Sequence, residues 1–123
     1  MTTVCRGVRG ATRATANTRE AILEATRELL QELIRSNSIE GDQVAAVFFT
    51  TTTDLTAEFP AVAARQLEWT EVPLLGSQEM AHPDALTRCI RVLILINTQK
   101  TARELVHVYL RGTENLRSRG VEP

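Results

Sequence analysis

The sequence predicts an α+β domain, a mixed, mostly antiparallel sheet covered by one long and one short helix. Three observations carry this. Apolar residues recur at helical spacing over one long stretch, Thr18 to Ser36. Shorter β-branched segments flank it, giving the order β-α-β-α-β-β-β. Finally, 123 residues with 43% hydrophobic and 24% charged side chains make one ordinary globular domain, spanning 1–123.

The first strand runs from Val4 to Thr12, with Val4, Arg6 and Val8 on one face and Cys5, Gly7, Arg9 and Ala11 on the other. Its two glycines mark a close backbone approach or a bulge. Asn17, three residues before Glu20, is a capping-box-like helix start. Ile22, Ala25, Leu29 and Leu33 then form the apolar stripe of the long helix, and Glu20, Arg27, Glu28, Glu32 and Arg35 its wet side. Val44 to Thr51 is β-branched and aromatic, a second strand. Pro60 suits a first helical turn, and Ala61, Ala63, Ala64, Arg65 and Leu67 continue a short helix.

A third strand is expected over Trp69 to Leu75, with Pro73 marking an edge or irregularity, and a loop over Gly76 to Ala85. Arg88 to Asn97 is the strongest strand. Ile90, Val92, Ile94 and Ile96 lie on one face, and Cys89, Leu93 and Leu95 on the other. A strand apolar on both sides is buried on both sides, and two helices cannot cover both faces, so self-association is expected. Val106 to Arg111 reads as the last strand, and residues from about 113 to 123 as a polar, mobile tail.

Fourteen basic residues against fifteen acidic ones leave a formal charge of −1, with no electrostatic pull towards nucleic acid or an anionic membrane. The longest apolar run, Val92 to Ile96, is far short of the roughly 20 residues of a membrane span. The N-terminus has no signal-peptide pattern, so a cytoplasmic protein is expected. Cys5 and Cys89 are too few for a disulfide framework or a cysteine-based zinc site, and read as small buried hydrophobes.

Hydrolytic, phosphoryl-transfer and redox signatures are all missing. His82 and His107 are isolated, so no metal site is expected. What stands out is Arg91, in the most apolar strand, where a guanidinium needs an anionic partner. That partner is either a carboxylate of the chain or a ligand. Arg9, between glycines, poses the same question. Glu79 lies in the loop before the Arg91 strand, and Tyr109 shares a face with His107 and Arg111. Arginines and a tyrosine on strands with a loop carboxylate suit a dianionic small molecule more than covalent or metal chemistry.

Five motifs occur in order. They are Arg6-Gly-Val-Arg-Gly-Ala11; Phe59-Pro-Ala61 with Arg65; Pro73 before Gln78-Glu-Met80; Cys89-Ile-Arg-Val92; and His107-Val-Tyr-Leu110. Together, from about residue 4 to 117, they resemble the monofunctional chorismate mutases of the Bacillus type, the trimeric α+β class. The resemblance implies an isomerase that rearranges chorismate to prephenate, in the synthesis of phenylalanine and tyrosine, without cofactor or metal. It implies a homotrimer with a pseudo α/β-barrel core and sites between subunits.

By resemblance, Arg91, Glu79 and Arg9 are the catalytic residues. Arg91 matches the cation beside the ether oxygen, Glu79 the acceptor of the ring hydroxyl, and Arg9 with Tyr109 the grip on the side-chain carboxylate. Phe59, Ala61, Leu74, Leu75 and Gly76 match the substrate-binding wall, and Arg65, Leu116 and Arg117 the mouth of the pocket. Gly76 stands where some relatives have cysteine, and Val62 where a lysine or glutamate occurs. The tail after Arg117 reads Ser-Arg-Gly-Val rather than Pro-Asp-Leu. Two other readings of the same residues are a non-catalytic trimer that binds a small carboxylate, and a structural subunit with a buried Arg91–Glu79 ion pair.

Overall fold

The computed structural model describes residues 2–116. These form one five-stranded sheet with helices on one face. The strands are β1 (Val4–Arg13), β2 (Val44–Thr51), β3 (Leu74–Gln78), β4 (Cys89–Thr98) and β5 (Val108–Tyr109), in the order β3-β2-β4-β1-β5. Helix α1 is Arg19–Asn37 and helix α2 is Ala61–Gln66. The sheet is mixed in a regular way. β4 pairs antiparallel with β1 and β2, while the edge strands β3 and β5 pair parallel with β2 and β1.

The long helix forms where its apolar spacing places it, but its start differs. Thr18, not Asn17, is the cap, its hydroxyl accepting from the Ala21 amide at 3.1 Å. Asn17 instead reaches across the fold. Its side-chain oxygen accepts from the amides of Thr56 and Ala57 at 2.9 and 3.0 Å, pinning the segment that leads to α2. At the other end Lys100, the one lysine of the sequence, donates to the Asn37 carbonyl at 2.7 Å.

The core lies between α1, α2 and one face of the sheet. Leu29, Leu30 and Leu33 are fully buried against Val8, Val47, Phe49, Ile94 and Ile96, while Ile22 packs in a second cluster with Ala14, Ala25, Leu55 and Ile90. Gly10 makes this approach possible. A Cβ there would stand 2.9 Å from the Leu29 and Leu33 Cδ1 atoms and 3.0 Å from the Val108 carbonyl oxygen. One of the two strand glycines thus marks the close approach expected of it.

Three expectations are corrected. The third strand starts at Leu74 rather than Trp69 and continues through Gly76 to Gln78, a stretch read as loop. Proline has no amide to offer a ladder, but the Pro73 carbonyl accepts from the Val47 amide at 3.0 Å and opens the parallel pairing. Trp69 is buried in the core outside any strand. The last strand shrinks to Val108–Tyr109, because Arg111 turns the chain with a left-handed φ of 54°. And Cys5 is exposed, whereas Cys89 is buried as expected.

Among the described residues no helix covers the second face of the sheet, the bare face. Register places Leu75, Phe48, Leu93 and Arg9 in one row across β3, β2, β4 and β1, with Leu95 and Gly7 in the next. Phe48 and Leu75 are 36% and 59% exposed, and Leu93 and Leu95 are half-buried. In the single chain this side of β4 is thus covered only at its start, where Cys89 is buried, and is open from Arg91 to Leu95.

Gly10→Ala is expected to destabilise the fold by about 1–3 kcal/mol, the usual cost of forcing a methyl into a filled core. Denaturant unfolding measures this, and an unchanged midpoint would show that the approach of β1 to α1 is looser than described.

Candidate active site

β4 carries Arg91 onto the bare face, because its neighbours Ile90 and Val92 point into the helix-covered core. Glu79 follows directly on β3, its amide donating to the Thr51 carbonyl at 2.8 Å. The two side chains meet. Arg91 Nη1 lies 2.7 Å from Glu79 Oε2, with the side chains 45% and 29% exposed. This is a half-exposed pair rather than a buried one, so its net contribution to stability is about 1 kcal/mol or less.

Arg91 and Glu79 line a cavity of about 600 Å3, together with Met80, Leu86, Cys89 and Leu116. Leu116 arrives there through a turn at 111–113. Arg111 and Gly112 are both left-handed, with φ of 54° and 83°. The buried Thr113 hydroxyl donates to the carbonyls of Leu110 and Ala11. A separate depression of about 460 Å3 at the other end of β4, lined by Gln43, Asn97, Lys100 and Glu104, contains none of the candidate residues.

Arg9 and Tyr109 share the bare face. Tyr109 pairs with Ala11, Ala11 with Arg91, and Arg9 with Leu93. Arg9 is exposed and Tyr109 half-buried. Of the remaining candidates Leu75 shares this face, and the others do not join the group. Phe59 is 74% exposed at the start of α2 and Arg65 is exposed on it, while Ala61 is buried in the helix-side core. Leu74 packs against that core, Leu75 is on the bare face, and a Cβ at Gly76 would meet nothing within 4 Å. None of these six lines the Arg91 cavity. Arg117 lies outside the described residues.

The structure adds residues that the sequence did not single out. The Thr52 hydroxyl donates to Asp54 Oδ1 at 2.5 Å and accepts from the Cys89 amide at 3.0 Å. Asp54 Oδ2 accepts from the amide of Arg88, a left-handed residue with φ of 50°. This knot joins the end of β2 to the start of β4 two residues before Arg91. Thr50, registered opposite Arg91, has a buried hydroxyl without a hydrogen-bond partner among the described residues. Only the Thr50–Thr53 run followed by Asp54 hinted at such a knot.

Two ionisable groups are shifted here. Burial pushes the Cys89 thiol up to about 11, with Arg91 pulling weakly the other way, so it stays protonated at neutral pH. At Asp54 partial desolvation acts upwards, but bonds from Thr52 and the Arg88 amide outweigh it and hold the carboxyl below its ordinary 3.8.

The family model for chorismate mutase type I matches residues 5–119. The chain belongs to that family. It is 49% identical over 113 residues to chorismate mutase AroH of Thermus thermophilus, covering 91% of this chain and 93% of the relative. With chorismate mutase AroH of Bacillus subtilis (strain 168) the figures are 39% over 113 residues, 91% and 89%. A solved chorismate mutase from Clostridium thermocellum superposes with a TM-score of 0.87 at 40% identity, covering 89% of this chain and 97% of that one. The activity is accordingly that of a chorismate mutase, an isomerase of aromatic amino acid biosynthesis.

A depressed carboxyl contributes stability that is complete above its unfolded value and disappears as pH falls through the folded one. Acidification below about pH 4 is therefore expected to cost the wild type more stability than Asp54→Asn. Denaturant midpoints across that range measure the difference, and identical acid sensitivity would mean that the Asp54 knot carries no linkage.

Proposed function

We propose that the chain converts chorismate to prephenate at a site completed by a second copy of itself in a cytoplasmic homotrimer, by holding the substrate and stabilising charge rather than by covalent chemistry. The observation that carries this is the Arg91–Glu79 pair on the cavity wall, with Arg9 and Tyr109 on the same bare face. A Claisen rearrangement breaks a carbon–oxygen bond while a carbon–carbon bond forms, in one cyclic movement of electrons. It needs no nucleophile and no general base. The protein's share is to hold the reactive chair-like conformer and to meet the negative charge growing on the ether oxygen.

Each residue has a place in that task. Arg91 supplies a cation that cannot discharge itself, aimed at the ether oxygen. Glu79 holds one prong of that guanidinium and accepts from the ring hydroxyl. Arg9 and Tyr109 grip the side-chain carboxylate. A millionfold acceleration corresponds to about 8 kcal/mol, and one well-aimed donor supplies about 3–4 kcal/mol of it, so Arg91 carries the largest single share.

Phe59, Ala61, Leu74, Leu75 and Gly76 line the opposite wall from the neighbouring copy, with its Arg65 at the mouth and Leu116 on the Arg91 side. Two features support that division. These wall residues lie away from the Arg91 cavity of their own chain, and the bare sheet face exposes the apolar patch of Phe48, Leu75, Leu93 and Leu95 that a second copy would bury. A homotrimer, three chains of 13.6 kDa, has a mass of about 41 kDa.

Purified protein is expected to elute at that mass and to consume chorismate absorbance with prephenate as product. A monomer with full activity would contradict the shared site. Arg91→Lys is expected to lower kcat/KM by at least about a hundredfold, because an ammonium cannot keep one prong on Glu79 and another on the substrate. Near-normal turnover by a folded Arg91→Lys protein would remove Arg91 from its role. Arg9→Ala is expected to raise KM with a smaller effect on kcat.

A further inference from the structure

One residue of the His107-Val-Tyr-Leu110 motif has no part in the site so far. β5 pairs with β1 through Gly10↔Val108 and Ala11↔Tyr109, and the seam continues as the Leu110 amide donates to the Ala11 carbonyl at 2.9 Å. One step the other way lies Arg9, where the main-chain pairing stops. There the His107 side chain takes over, and the Arg9 amide donates to Nδ1 at 3.0 Å. An imidazole replaces the missing rung of the ladder at the residue that carries the guanidinium.

We propose that His107 is a positioning residue for Arg9, holding its backbone so that the guanidinium meets the substrate carboxylate. Three supports converge on this short piece of β1. β4 pairs with Arg9 through Leu93. Gly10 is pressed onto Leu29 and Leu33 with no room for a Cβ. On the β5 side the support at Arg9 is the imidazole. The bond sets the chemistry of the ring. A nitrogen that accepts carries no proton, so neutral His107 bears its proton on Nε2, and a ring protonated on both nitrogens has no acceptor for Arg9. Tyr109, two residues on, ends the strand that His107 precedes. A single two-residue strand thus presents one gripping side chain and is preceded by the residue that holds the other.

This inference rests on the reading of Arg9 as the carboxylate grip, and the test separates the two. The full chain is assayed as wild type, His107→Ala, His107→Asn and Arg9→Ala. Asparagine places an acceptor oxygen near the position of Nδ1. His107→Ala is expected to raise KM for chorismate about three- to tenfold, the reach of one lost hydrogen bond, with kcat within about twofold. His107→Asn should restore most of the KM. A KM unchanged in His107→Ala, or equally raised in His107→Asn, overturns the positioning role. An unchanged KM in Arg9→Ala overturns the carboxylate assignment itself, whatever His107 does. Should His107→Ala fail to fold, nitrogen-15 NMR of the wild-type ring decides. An unprotonated Nδ1 with the proton on Nε2 is expected, and the reverse tautomer overturns the proposal.

Discussion

A sheet whose described helices lie on one face only is the constraint from which the rest of this structure follows. α1 and α2 bury Ile90, Val92, Ile94 and Ile96, and alternation along β4 then forces Arg91, Leu93 and Leu95 to the other side. The same alternation on β1 sends Gly10 into the core and Arg9 outwards. Arg91, Arg9 and Tyr109 are thus collected on that face as a consequence of the packing. Their apolar neighbours there are what leave the face in need of a cover.

Cover also decides how strongly the site acts. In the single chain the Arg91–Glu79 pair is half-exposed, and water weakens its field. Under our proposal a second copy closes over it, replacing water by the Phe59 wall. The cation is then already oriented in a poorer dielectric when charge develops on the substrate, so little reorganisation accompanies the reaction. The knot of Thr52, Asp54 and Arg88 and the rung formed by His107 serve the same end. They fix backbone around Arg91 and Arg9, where a small displacement would matter.

How far the sequence discloses this differs from element to element. α1 and β4 are plain because their periodicities are long and unbroken. β3 is displaced because its pairing is parallel, at an edge, and made by main chain. Gly76, Ser77 and Gln78 carry no strand signature, and the apolar stretch before them belongs to the core instead. β5 is overestimated because alternation in side chains does not reveal that Arg111 turns left-handed. At the site, the residues alone raise the need of Arg91 for an anion without naming it, and the resemblance supplies Glu79. The bonds of Asp54 and Thr52 to Arg88 and Cys89, and the side-chain rung of His107, depend on meetings between distant segments at which the local pattern at most hints.

The division of the site between copies is the claim on which the account stands, and mixed trimers test it directly. Arg91→Ala damages one side of each interface, and Phe59→Asp the other. The two proteins, each inactive alone, are unfolded together and refolded as a mixture. If neighbouring copies share a site, some interfaces in the mixed trimers carry neither lesion, and the mixture regains chorismate mutase activity that neither parent has. A mixture that forms trimers yet stays as inactive as its parents would place the whole site within one chain and contradict the account.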